Sequence, residues 1–180
     1  TVEMIELLRD RGANVTARDW RGNTPFMGAC EEGRAAVVSF LLARGVDPTL
    51  RAPGDKTVLH LAAAAHVYRA ADQVATLRLL LEDGRVSVDA RDSQGRTALW
   101  WACRYGRVEA ARVLLLEGGA DHTVADNRGE TPTDAAMLRV VVADDSVQLM
   151  KVGARHHGRG GMTVMVSYTE CCAVFTSLVL

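Results

Sequence analysis

Apolar positions over the first three quarters of the chain fall into two alternating kinds of run. One is short and holds small residues: Ala29 and Cys30, Ala62 and Ala63, Ala102 and Cys103. The other carries larger aliphatics: Val37, Val38, Leu41 and Leu42; Leu77, Leu80 and Leu81; Ala110, Val113, Leu114 and Leu115. Spacings of three and four put each set on one face of a helix. The small-residue runs predict helices that neighbours can approach closely, and the aliphatic runs predict their amphipathic partners.

A threonine stands before each short run, at Thr24, Thr57, Thr97 and Thr131, and these anchors lie 33, 40 and 34 residues apart. A fixed period of this size is the signature of a repeat architecture. The polar stretches ahead of the anchors read D-x-x-G-x-T at Asp19, Asp92 and Asp126, which is turn chemistry with glycines free to take positive φ. Thr24, Thr97 and Thr131 suit the N-cap, and Pro25 and Pro132 follow at the first helical position, where a missing N–H costs nothing. Gly33 and Gly106 punctuate the unit between its helices, and Gly45, Gly84 and Gly118 are expected to end the second helix.

The period and the segments TPFMGAC, TVLHLAA, TALWWAC and TPTDAA resemble the ankyrin repeat, as do the connecting stretches RGANVTARD, RGVDPTLR and GGADHTVADNRG. The resemblance covers residues 1–138. It implies an all-α solenoid of helix-turn-helix units joined by β-hairpin-like loops. The array is expected over 1–143: a half repeat at 1–18, repeats at 19–51, 52–91 and 92–125, and a degenerate capping repeat at 126–143. Residues 144–180 are expected to be a linker and an irregular apolar tail.

The departures from the pattern are specific. The second unit is seven residues longer, with six of them around His66–Ala71, and its turn APGDKT carries Gly54 one place early. The family's histidine survives only as His60; Met27, Trp100 and Asp134 hold the equivalent places. The resemblance implies a structural role for it, bonding around the threonine turn. The fourth unit loses the pattern after Ala136. At the other end, Val2, Met4, Ile5, Leu7 and Leu8 form a helix without its partner helix, and the apolar face left open there points to further repeats upstream.

Composition then limits the chemistry. Apolar residues make up 48% of the 180 and charged ones 24%, with aromatics at 5%, so the core must be aliphatic and alanine-rich. The formal net charge is -1, and without a basic stripe nucleic acid is not an expected partner. Four cysteines, two of them in helical patterns, do not form a disulfide framework and fit an intracellular, cytoplasmic setting. Residues 162–180 match a membrane span in length, but Glu170 and the Ser, Thr and Tyr residues there argue against one. His156, His157, Cys171 and Cys172 have poor spacing for zinc. Phosphate-binding, nucleophile-elbow and H-E-x-x-H motifs are absent from the sequence, so no enzyme activity, cofactor or metal is expected.

Binding residues are expected on the hairpin tips and the first helices. The resemblance implies a concave surface built from both, and hence a protein partner; the array is expected to be a monomer. Trp101, Arg104 and Tyr105 on the first helix of the third unit have the residue types that dominate interfaces. Trp101 and its neighbour Trp100 can equally pack between repeats, and for Trp100 packing is the stronger reading. Glu31 and Glu32, then Ala64 and Ala65, hold the matching places, so the groove should run from acidic through bland to aromatic and basic. From the tips come Trp20, Arg21, Asn23, Gln94, Arg96 and Arg128. Trp20 either contacts a partner or lies over the neighbouring hairpin. The function expected is a protein–protein interaction module. The alternative is an accessory module of a larger multidomain enzyme or receptor whose catalytic part lies outside this chain.

Overall fold

The computed structural model describes residues 2–65 and 70–136. Among the described residues seven helices follow in order: α1 Val2–Asp10, α2 Pro25–Glu31, α3 Ala35–Ala43, α4 Val58–Ala64, α5 Ala70–Asp83, α6 Ala98–Tyr105 and α7 Val108–Leu116. A further helical stretch opens at 132–136. Within a unit the helices pair as α2 with α3, α4 with α5 and α6 with α7; between units α2 packs on α4 and α4 on α6, while α1, α3, α5 and α7 follow one another in a second layer. This is an all-α repeat solenoid, in which stability comes from stacked neighbours.

Local chemistry places the inner helices. The Thr24, Thr97 and Thr131 hydroxyls accept from the amides of Met27, Trp100 and Asp134, each at 3.3 Å, as N-caps do. Pro25 occupies the first turn of α2. All six small residues of the inner helices are buried, and the layers meet over Val38, Leu41, Leu77, Leu80, Val113 and Leu114. On the first helix, Met4 and Leu7 remain about half exposed, at 54% and 51%, while Ile5 packs against the core.

The turns close on short backbone pairs and none of them extends into a strand. Asp19 donates its amide to Asn23 at 2.8 Å, Ala52 to Lys56 at 2.8 Å, Asp92 to Arg96 at 2.9 Å and Asp126 to Glu130 at 2.9 Å. The Oδ1 atoms of Asp19, Asp92 and Asp126 each accept two further amides inside their turns. Where Ala52 replaces the aspartate, Gly54 and Asp55 both take positive φ, +77° and +62°. The turn with its glycine displaced thus closes through two left-handed residues.

One glycine expectation is corrected. The left-handed residue after α7 is Gly119, at φ +66°, and Gly118 serves packing instead: a Cβ there would stand 2.8 Å from the Leu114 carbonyl and 3.1 Å from Leu81. The capping segment beyond 136, the tail at 144–180 and the His156, His157, Cys171 and Cys172 group lie outside the described residues.

An arginine ladder ties the hairpins together. Arg18 donates to the carbonyls of Gly22 and Arg51; Arg51 to those of Asp55 and Arg91; Arg91 to those of Gly95 and Ala125. Each guanidinium closes its own turn and reaches the same place in the next unit. Ala125 ends the series.

Candidate functional site

The inner helices run side by side, and their last residues open into a common cleft of about 790 Å³. Glu31 and Glu32 come from the end of α2, Ala64 and Ala65 from the end of α4, Trp101 and Tyr105 from α6, and Lys56 from the second hairpin. The acidic, bland and aromatic places expected from register therefore line one surface, whereas Arg104, the expected basic place, is not among the lining residues.

Trp101 is the most tightly held of the half-buried groups. Its Nε1 donates to Asp92 Oδ2 at 3.0 Å. Its ring stacks on Tyr105, centroids 5.6 Å apart and planes at 23°, and meets the edge of Trp100 at 5.5 Å. The Lys56 ammonium stands 4.3 Å from its centroid, a cation–π contact. Such fixing lowers the ordering cost of binding. Trp100 is buried, as packing between repeats requires.

Arg96 is turned inward. Its guanidinium lies 4.2 Å over Trp100, its Nε is 3.5 Å from Asp126 Oδ2, and only 14% of its side chain is exposed. Burial works against the Asp126 charge, but amide donors from Glu130 and Arg128 and the Arg96 cation outweigh it and hold this carboxyl below its usual range. The cluster joins the third and fourth units.

The remaining tip residues divide. Trp20 is 87% exposed and does not lie over a neighbouring hairpin, and the Arg21 guanidinium rests 4.8 Å over its ring. Trp20, Arg21 and Asn23 border a second cleft of about 520 Å³, which shares Arg21, Glu31 and Glu32 with the first. Asn23 is half-buried, with its backbone paired to Asp19 in the turn. Gln94 and Arg128 are exposed, and the Gln94 carbonyl accepts the Asn127 amide of the next hairpin at 2.9 Å. Arg104 and Tyr105 are half-buried beside Gly106.

The contacts of Lys56, a tip residue that lines the cleft, and of buried Asp92 with Trp101 escaped the sequence reading. The only signal was their place in the hairpins flanking Trp101, and a contact between units leaves no spacing rule inside either one. His60 also borders the cleft, but both its ring nitrogens are engaged, with Thr57 and with the Arg96 carbonyl. Among the described residues no group of three His, Cys, Asp or Glu is placed to hold a metal ion, and no helix is long and apolar enough to cross a membrane.

Comparison with known proteins agrees with the repeat fold. Residues 50–126 match the family described as "Ankyrin repeats (3 copies)" and residues 7–62 match "Ankyrin repeats (many copies)". The chain is 37% identical over 137 residues to the ankyrin repeat and KH domain-containing protein mask-1 of Caenorhabditis elegans, covering 76% of this chain and 5% of that protein. It is 32% identical over 140 residues to the ankyrin repeat and KH domain-containing protein CBG24701 of Caenorhabditis briggsae, covering 76% and 5%. To the nuclear factor NF-kappa-B p105 subunit of Gallus gallus it is 32% identical over 157 residues, covering 81% and 16%. The chain thus spans a small fraction of the length of these relatives. Ankyrin repeats are generally protein–protein interaction modules. With helix pairs, threonine caps and aspartate turns in one register, and both family patterns matched, the chain belongs to the ankyrin-repeat family.

Proposed function

We propose that this array binds a partner protein through the cleft at the ends of α2, α4 and α6 together with the Trp20–Arg21 tip. The observation that carries the reading is the convergence of three units on one cleft whose aromatic wall, Trp101 on Tyr105, is fixed by Asp92 and Lys56. Aromatic and arginine side chains supply most interface energy. Arg104, Gln94 and Arg128, which are not among the cleft-lining residues, are further contacts in this reading, while Arg96 lies 5.3 Å over the Trp101 ring. The array acts as a monomer, without catalysis, in an intracellular setting, and neither nucleic acid nor membrane is its partner.

The test is affinity capture from a lysate by the full chain, beside a Trp101→Ala, Arg104→Ala, Tyr105→Ala variant shown by circular dichroism to be folded. A captured protein that the folded variant loses supports the reading. Equal capture by both moves the contact elsewhere. A second reading, an accessory module of a larger multidomain enzyme or receptor, rests on the 5% share of the mask-1 protein that the chain spans. It expects the array to dock onto other parts of the same polypeptide.

A further inference from the structure

The charges around the main cleft are not equally committed. Its cations are engaged: Arg34 with Glu32 at 3.1 Å, Arg21 over the Trp20 ring at 4.8 Å, and Lys56 over the Trp101 ring at 4.3 Å. Glu31 and Asp72 are exposed at the same cleft, and neither carboxylate has a partner among the described residues.

The backbone adds to the same sign. Glu31, Ala64 and Tyr105 are the last residues of α2, α4 and α6, and all three line the cleft. The negative ends of three helix dipoles therefore converge there. Glu31 is set against its own helix dipole, at an end where a cation would be favoured. A carboxylate in that position, beside an open cleft and without a partner among the described residues, gains nothing from its own helix. Ala64 and Ala65 carry no bulk over the floor between the acidic and aromatic ends.

We propose that the cleft receives an extended peptide segment carrying a lysine or arginine beside an apolar or aromatic residue. The cation sits by Glu31 and Asp72, and the apolar side chain lies on the exposed part of the Trp101–Tyr105 stack. This rests on the reading that the inner-helix face binds a protein, and it names the chemistry of what is bound. An acidic segment is disfavoured, because it would meet the carboxylates of Glu31 and Asp72 and would compete with Glu32 for Arg34.

A random dodecapeptide display library selected on the full 180-residue chain tests this, with the strongest enriched peptide resynthesised and titrated by calorimetry. The expected result is enrichment of lysine or arginine next to apolar or aromatic residues. Affinity should then fall at least tenfold in a Glu31→Gln, Asp72→Asn variant and separately in Trp101→Ala, and it should weaken as salt rises. Both carboxylates are exposed, so the double variant keeps its fold, which circular dichroism verifies. Enrichment of acidic peptides overturns the assignment of a basic segment and leaves the inner-face reading standing. Basic peptides whose affinity survives both cleft variants but falls in Trp20→Ala overturn the cleft and move binding to the tip. No enrichment overturns both readings.

Discussion

The Nε2 atom of His60 stands 2.8 Å from the carbonyl oxygen of Arg96, 36 residues further along the chain. The other ring nitrogen, Nδ1, is 3.0 Å from the Thr57 amide and 2.7 Å from the Thr57 hydroxyl. A backbone amide can only donate, so Nδ1 accepts, Nε2 carries the proton, and Nε2 donates to Arg96. One neutral imidazole thus closes the turn before α4 and pins the next hairpin.

Burial pushes the His60 pKa below its ordinary 6.5, against the opposing pull of the Arg96 carbonyl and the Asp92 carboxylate. The unfolded chain takes up this proton first as pH falls. The stabilisation is complete above pH 6.5 and drains away below it, towards the folded-state pKa. Urea midpoints between pH 7.5 and 5 should drop in the wild type and stay flatter in His60→Gln, which keeps an acceptor and a donor. His60→Ala should cost about 2–4 kcal/mol at pH 7.5, through a cavity and unpaired polar groups. Parallel pH profiles for wild type and His60→Gln would rule out this role.

Gly95 and Gly129 hold the same place in successive turns, at φ +78° and +83°. A Cβ on Gly95 would overlap Asn127 Oδ1 and fall 2.9 Å from the Asn127 amide, whereas one on Gly129 meets nothing within 4 Å. Gly129→Ala should cost roughly 1–2 kcal/mol for the backbone alone. Gly95→Ala should cost clearly more, because the next hairpin must move. Equal midpoints in chemical denaturation would show that the hairpins are not packed as described.

The arginine ladder makes a graded prediction. Arg91→Ala removes donors to Gly95 and Ala125, at 2.9 and 2.8 Å, and should cost about 1 kcal/mol per bond or less, given its exposure. Installing arginine at Ala125 extends the series to the last hairpin. Thermal denaturation of both variants checks the pair, and no loss in Arg91→Ala would mean that the ladder is decorative.

Cys30 is fully buried and its burial pushes the thiol pKa well up, away from the reactive thiolate. Cys103 is buried to the same degree. Both should resist alkylation in the native protein and react in urea, at rates that follow global unfolding. Mass spectrometry of the two tryptic peptides measures this. Rapid native labelling at either would contradict the packing of the inner layer.

What the sequence made legible was chemistry internal to a unit. Thr24 and Thr97 cap, Pro25 opens α2, and the small residues are buried, because each effect acts over one turn and recurs at a common register. Relations between units were less visible. The ladder residues Arg18, Arg51 and Arg91 share the threonine spacing of 33 and 40, but nothing local says that a guanidinium will span two hairpins. Arg96 reads as a tip residue until Asp126 and the Trp100 face turn it inward. Gly118 and Gly119 are adjacent, and the close approach of the Leu114 carbonyl, Leu81 and Val88 distinguishes the packing glycine from the left-handed one.

Carboxyl and aromatic footprinting of the full chain, free and with its captured partner, tests the central claim most directly. The account predicts protection of Glu31, Trp101 and Tyr105, extending to Trp20, with Glu109 on α7 and Glu117 just beyond it unchanged. Protection confined to the α3, α5 and α7 layer, with Trp101 and Glu31 as reactive as in the free chain, would contradict it.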